Sequence, residues 1–203
     1  VHVVSVISFV FAVVVNILSN TLPIGGLTQA EISAKLPNLF TPANVTFSIW
    51  GLIYVLLAGF AVFLLFPGIL GPERHQELVR RTGILFTASN LLNALWIFLW
   101  HQMLIGAGLV VIIAMLAVAG LLYRVVRAFP VNNFKERLFV QLPFQIYFGW
   151  LTVAVIAAAF AYAAHVEWDG FGLPSELWTV ALIAAAAAIG FLVLKRERDI
   201  PFT

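Results

Sequence analysis

Apolar residues in this chain come in long runs separated by short polar punctuation. Six runs approach the roughly 20 residues that a helix needs to cross a bilayer: Val3–Leu22, Val45–Phe66, Thr82–Trp100, Leu104–Val126, Leu138–Ala163 and Leu177–Leu194. Only His101 and Gln102 separate the third run from the fourth. Merging these two would give a helix of about 45 residues, far longer than a bilayer is thick. A tight turn is therefore predicted there, with Gly106 and Gly108 opening the next helix. Val1–Leu18 lacks a basic flank and a small-residue cleavage site, so it reads as a span and not as a signal peptide. The expected fold is all-α: a polytopic membrane helix bundle forming a single membrane domain over residues 1–203, with spans 3–22, 45–66, 82–100, 104–126, 138–163 and 177–194.

Inside the runs the polar residues are neutral and periodic. In the third, Asn90, Asn93, Trp96 or Ile97, and Trp100 recur every three or four positions and share a helix face. An amide in hydrocarbon needs a partner, so this face should point into the bundle. In the fifth, Gln141, Gln145, Gly149 and Thr152 make a second stripe of the same spacing, and in the second Trp50 and Tyr54 stand at i and i+4. Two readings fit the stripes. One is hydrogen bonding between helices; the other is an aromatic cavity with a few orienting polar groups, suited to a flat apolar ligand. The long connection after the first span contains Thr28–Lys35, which predicts a short helix with Thr28 as N-cap and Glu31 at N3. A connection of this length suits a lid or a plain surface link.

Composition and charge set the solvent and the orientation. The chain is 63% hydrophobic and 10% charged, against about 45–50% and 25% for a soluble domain. Of the eleven basic residues, ten fall in three segments: Arg74, Arg80 and Arg81; Arg124, Arg127, Lys135 and Arg137; and Lys195, Arg196 and Arg198. Six spans place all three on one side, as the positive-inside rule requires, with both termini cytoplasmic. The expected location is a bacterial inner membrane. There is no cysteine, which excludes disulfides, thiolate metal sites and cysteine catalysis.

The candidate chemistry is sparse. The spans hold essentially no ionisable residue, which argues against an ion-coupled pump or a voltage sensor. No histidine lies at mid-depth for haem ligation. His101 and His165 fall at the outer edge and are read as solvated interfacial groups, so no metal site is assigned. No catalytic residues are assigned either, because no acid, base and nucleophile come together in the pattern. The Ala184–Ala188 run suits close helix packing. Belt positions at the membrane interface account for Trp168 and Trp178.

Three segments carry a family resemblance. Thr41–Tyr54, TPANVTFSIWGLIY, ends in W-x-x-x-Y at Trp50 and Tyr54; Leu92–Trp96 reads LNALW; Pro143–Ala154 reads PFQIYFGWLTVA. In this order and spacing the chain resembles the tryptophan-rich sensory protein/translocator protein family (TspO/MBR). The resemblance implies a five-helix core with a ligand cavity beneath the connection after the first helix, here extended by a sixth span. Family members bind porphyrins, sterols or drug-like molecules and are often dimers. On this view Trp50, Tyr54, Asn93, Trp96 and Trp150 line or brace the cavity, and the loop with Pro37 and Pro42 closes it. Pro143 and Trp150 are about one helical turn further apart than the family pattern, which puts Tyr147 at the usual Trp place.

The function this implies is an integral membrane receptor, a binding or sensory protein for a hydrophobic ligand: a porphyrin or other tetrapyrrole, a sterol or a lipid. No fixed cofactor and no nucleic-acid partner is expected; the expected partners are the lipid bilayer, the ligand, and a second copy or a larger membrane complex. The alternatives are an accessory subunit of such a complex, or a transporter of amphipathic molecules. Missing inverted repeats and missing embedded charges count against the transporter.

Overall fold

The computed structural model describes residues 1–22, 26–36, 38, 41, 43–174, 176–181, 183, 184 and 188. Among them every regular element is helical: α1 (His2–Thr21), α2 (Gln29–Ala34), α3 (Ile49–Leu65) entered through a 3-10 turn at Asn44–Ser48, α4 (Pro72–His101), α5 (Ile105–Arg127), the short α6 (Phe134–Glu136) and α7 (Leu142–His165). Among the described residues five helices are long and apolar enough to cross a membrane. The sixth span expected over 177–194 lies largely outside the described residues; those described within it, 177–181, 183, 184 and 188, are helical.

The boundaries follow local chemistry. α4 begins at Pro72, well before the apolar run at Thr82, because Gly71 adopts φ 82° at the N-cap and Pro72 occupies the first helical turn. Glu77 then pairs with Arg80 and Arg81 one turn on, carrying the helix through its polar segment. At the other end, Met103 takes φ 56° and the chain reverses into α5, the tight turn expected after His101.

α4 packs along α1 on one side and α5 on the other, and α5 in turn carries α7. The α1–α4 seam is polar. The Ser5 hydroxyl donates to Gly83 O at 2.9 Å and accepts from Thr87 at 3.0 Å. Asn90 Nδ2 donates to Ser8 Oγ at 3.2 Å, and Asn16 Nδ2 to Asn93 Oδ1 at 2.8 Å. In lipid, where hydrophobicity gives helices no reason to associate, such bonds and close packing hold the seam, each worth about 0.6 kcal/mol. The centre is apolar. Phe60, Phe86 and Phe144 are fully buried and meet edge to face, Phe60 lying 5.1 Å from Phe86 and 4.7 Å from Phe144.

The basic end of the bundle is clamped. Arg74 donates to both carboxylate oxygens of Glu136, at 3.2 and 2.7 Å, and to Pro130 O at 2.7 Å. Glu136 also accepts from the Asn132 N–H and from Asn133 Nδ2, both at 2.9 Å, so this buried carboxylate is well satisfied. A π-helical turn, Arg137–Gln141, follows. It places the Phe139 ring where a Cβ on Gly59 would sit, so α3 needs glycine there.

The polar stripe predicted on this last span is not one inward face. Gln141 reaches across to the carbonyls of Val126, in the last turn of α5, and Phe129, just beyond it. Gln145 and Gly149 are exposed, and Thr152 bonds back to Phe148 O at 3.0 Å. The buried face of α7 belongs instead to Phe144, Tyr147 and Leu151, whose larger apolar and aromatic surfaces win the contact with the core.

Candidate ligand cavity

Four tryptophans converge near the end of the bundle that carries α2. Trp50 stands in the first turn of α3, delivered by the 3-10 turn before it. Trp96 and Trp100 lie one turn apart on α4 and stack at 5.6 Å. Trp150 comes from α7 and meets Trp50 edge to face, with centroids 6.0 Å apart and planes at 87°. Trp50 is the hub, since it also stacks on Tyr54 at 5.8 Å and contacts Trp96 and Tyr147, each at 6.2 Å.

Beside this cluster lies a cavity of about 420 Å³. The four tryptophans and Phe47 form its aromatic walls. Its room comes from α7, where Ala154, Ala157 and Ala158 withhold side chains from the space facing the rings. Ser33, Thr41 and Thr46 bring hydroxyl groups to the lining.

The six residues singled out in the sequence are brought together, in two roles. Trp50, Trp96 and Trp150 line the cavity. Tyr54, Asn93 and Tyr147 stand behind them. Asn93 Oδ1 accepts from the Tyr54 hydroxyl at 3.0 Å and from Asn16 at 2.8 Å, and Tyr147 accepts from Ser89 at 3.1 Å. Tyr147 is buried against Trp50, while Trp150 is half-buried and turned to the cavity, so α7 supplies two aromatic contacts one turn apart. Pro37 and Pro42, the expected lid residues, lie outside the described residues.

α2 covers one side of the site. Its capping box is complete: Thr28 Oγ1 accepts from the Glu31 N–H while the Glu31 carboxylate accepts from the Thr28 N–H at 2.8 Å. Those bonds from Thr28 backbone and hydroxyl hold the Glu31 carboxyl below its ordinary range. The helix is tied to its neighbours through Gln29, which accepts from Trp100 Nε1 at 3.3 Å and donates to Ser19 at 3.3 Å.

Several buried donors have no partner among the described residues, Arg74 Nε and Asn93 Nδ2 among them. The indole N–H groups of Trp96 and Trp150 are two more; both side chains line the cavity, but the nitrogens themselves are buried. His101, expected to be solvated, is buried as well; its Nδ1 lies 2.8 Å from Ile97 O and its Nε2 has no partner among the described residues. The long helix α4 ends only at His101, which keeps the imidazole against the bundle. Among the described residues no group of three or more His, Asp or Glu could hold a metal ion.

Sequence reasoning missed Phe47, Thr46 and the alanines of α7 as lining, and it missed Ser5, Ser8 and Asn16 as the seam behind Asn93. The seam had a signal in Ser5, Ser8, Asn16 and Ser19, four buried polar positions at helical spacing in an otherwise apolar run. No significant match is found among curated proteins or among solved structures. A family model described as TSPO-like protein matches residues 2–203.

Proposed function

Because the chain belongs to the TSPO-like protein family, we propose that this multi-pass membrane protein is a receptor for a flat, largely apolar ligand that carries hydrogen-bond acceptors: a porphyrin or other tetrapyrrole, a sterol or a lipid. The observation that carries this reading is the cavity itself, walled by Trp50, Trp96, Trp100, Trp150 and Phe47 and given its room by the alanines of α7. A flat apolar ligand stacks on these rings, and Ser33, Thr41 and Thr46 in the lining offer it hydrogen-bonding groups. The cavity volume of about 420 Å³ falls within the usual range for small-molecule sites, about 300–1,000 Å³. A planar macrocycle with edge carboxylates or a sterol with a hydroxyl meets both demands.

The test is a titration of the purified protein in detergent with protoporphyrin IX, read by tryptophan fluorescence quenching, with a detergent-only blank and the Trp96→Phe variant as controls. Saturable quenching near one ligand per chain, weakened in the variant, supports the tetrapyrrole reading. Linear, blank-like quenching removes it. A photoreactive sterol or lipid probe then labels the cavity wall if the ligand is one of those, and leaves it unlabelled if the receptor reading is wrong.

One observation favours a second reading, that of a subunit in a larger membrane assembly. Gln145 and Gly149 are exposed on the membrane-crossing part of α7. An amide facing hydrocarbon is satisfied by a neighbouring helix more readily than by lipid. Sizing after mild solubilisation of native membranes separates the two: a discrete larger complex supports the subunit reading, and a homogeneous monomer or homodimer excludes it.

A further inference from the structure

Beyond the end of α7 the chain builds a second cavity, about 620 Å³, that shares no lining residue with the first among the described residues. Its lining includes Phe160, Leu173, Trp168, Trp178, Glu167 and Asp169. Trp168 and Trp178 lie 5.3 Å apart with their planes inclined at 52°, so they form a corner and not a stack. Phe171 closes beside them, 5.2 Å from Trp168 and perpendicular to it.

The segment is shaped to hold this corner. Glu167 and Phe171 adopt φ 51° and 58°, and the glycines at 170 and 172 adopt φ 67° and 73°. The Asp169 carboxylate accepts from the Phe171 N–H at 3.0 Å. Trp178 donates its indole N–H to Gly170 O at 3.0 Å. A belt tryptophan at a membrane surface directs that N–H toward water and headgroups. Here it is spent inside the protein, so Trp178 is fixed by the loop and its ring remains as cavity wall.

Two inclined indole rings, the Phe160 ring and two acidic residues in one lining are complementary to a cation that is bulky and weakly hydrated. A cation within about 6 Å of a ring centroid is drawn to the negative face of that ring. Sodium holds its water too strongly to exchange it for aromatic faces, whereas a methylated ammonium has little to lose. We propose that this cavity binds a quaternary ammonium group of the trimethylammonium type, presented either by a choline-headed lipid or by a free small cation. Its position just past a membrane-crossing helix sets it at the depth of lipid headgroups.

The full chain in phosphatidylglycerol nanodiscs provides the test. Saturation transfer from protein to the methyl protons of choline is compared with that to 3,3-dimethylbutanol, its uncharged carbon isostere. Choline is expected to saturate and the isostere to bind far more weakly. Trp168→Leu, which removes one ring without touching the Trp178–Gly170 bond, is expected to weaken choline about fivefold. The pair E167Q/D169N keeps the side-chain shapes and the Asp169 acceptor, so it serves even if the ring variant fails to fold; it is expected to weaken choline and leave the isostere unchanged. Equal binding of choline and isostere, or choline binding unchanged in E167Q/D169N, overturns the proposal. Repeating the titration in phosphatidylcholine nanodiscs assigns the source: loss of the choline signal identifies the lipid headgroup, and its survival identifies a free cation.

Discussion

An indole N–H buried without an acceptor is a local cost, and Trp96 and Trp150 each carry one at the same cavity. Replacing Trp150 by Phe keeps an aromatic wall but removes the N–H and one ring of the indole surface that meets Trp50. Ligand affinity is therefore expected to fall about fivefold to tenfold, with a smaller loss of thermal stability; parallel fluorescence titration and melting curves check both. Asn93 behaves oppositely. Its Oδ1 is shared by Asn16 and Tyr54, so Asn93→Ala is expected to destabilise the bundle by about 1–2 kcal/mol. At this scale the sequence was legible where periodicity and motif agreed: Trp50 with Tyr54, and Asn93 with Trp96. It was silent where the site is made by absence. Nothing in the letters of Ala154, Ala157 and Ala158 says that four rings stand opposite them. The exposed Gln145 and Gly149 were misread because lipid gives no contrast between the two sides of an apolar helix.

Among the elements, α2 is the one most open to test, because a six-residue helix cannot persist without its caps and contacts. Thr28→Ala removes the N-cap hydroxyl and is expected to cost about 1 kcal/mol of local stability. Faster hydrogen exchange in α2 and easier ligand entry are the readouts. Acid should act through the same box. The Glu31 carboxyl is held below its ordinary range, so its contribution is complete above the unfolded carboxylate pKa and is lost as pH falls through the lower folded value. Exchange in α2 should rise across that acidic window, and Glu31→Gln should flatten the dependence. α3 and the π-helical turn offer a second test. A methyl group at Gly59 collides with Phe139, so Gly59→Ala is expected to cost about 1–3 kcal/mol, and Phe139→Ala in the same chain should recover part of it. The α2 capping box was readable from four letters, T-x-x-E. The π-turn was not, because it depends on what α3 and α5 present to it.

The whole molecule is a bundle closed at its two ends by different means. The end with α2 holds the aromatic cavity. The basic end holds Arg74 and Glu136, where the carboxylate side chain is only 4% exposed. Arg74→Ala leaves that charge buried without its counter-ion and is expected to cost about 3–5 kcal/mol. Glu136→Gln keeps hydrogen-bonding capacity and should cost clearly less; denaturation of both variants in the same detergent ranks them. That the chain is an all-helical membrane bundle was evident in run lengths alone. The partnership of Arg74 with Glu136 was not, because 62 positions separate them and each looked like an ordinary loop charge.

The polar seam between α1 and α4 has one more consequence. Two greasy helices can slide along each other at little cost, but a row of directional bonds works like the teeth of a ratchet and admits only certain settings. Asn16 is one tooth, and through Asn93 it fixes Tyr54, on which Trp50 stacks. α1 contributes no side chain to the aromatic cavity, yet it sets the alignment of the ring at its centre. A helix that stays out of the cavity wall thus acts as the gauge against which the proposed binding site is positioned.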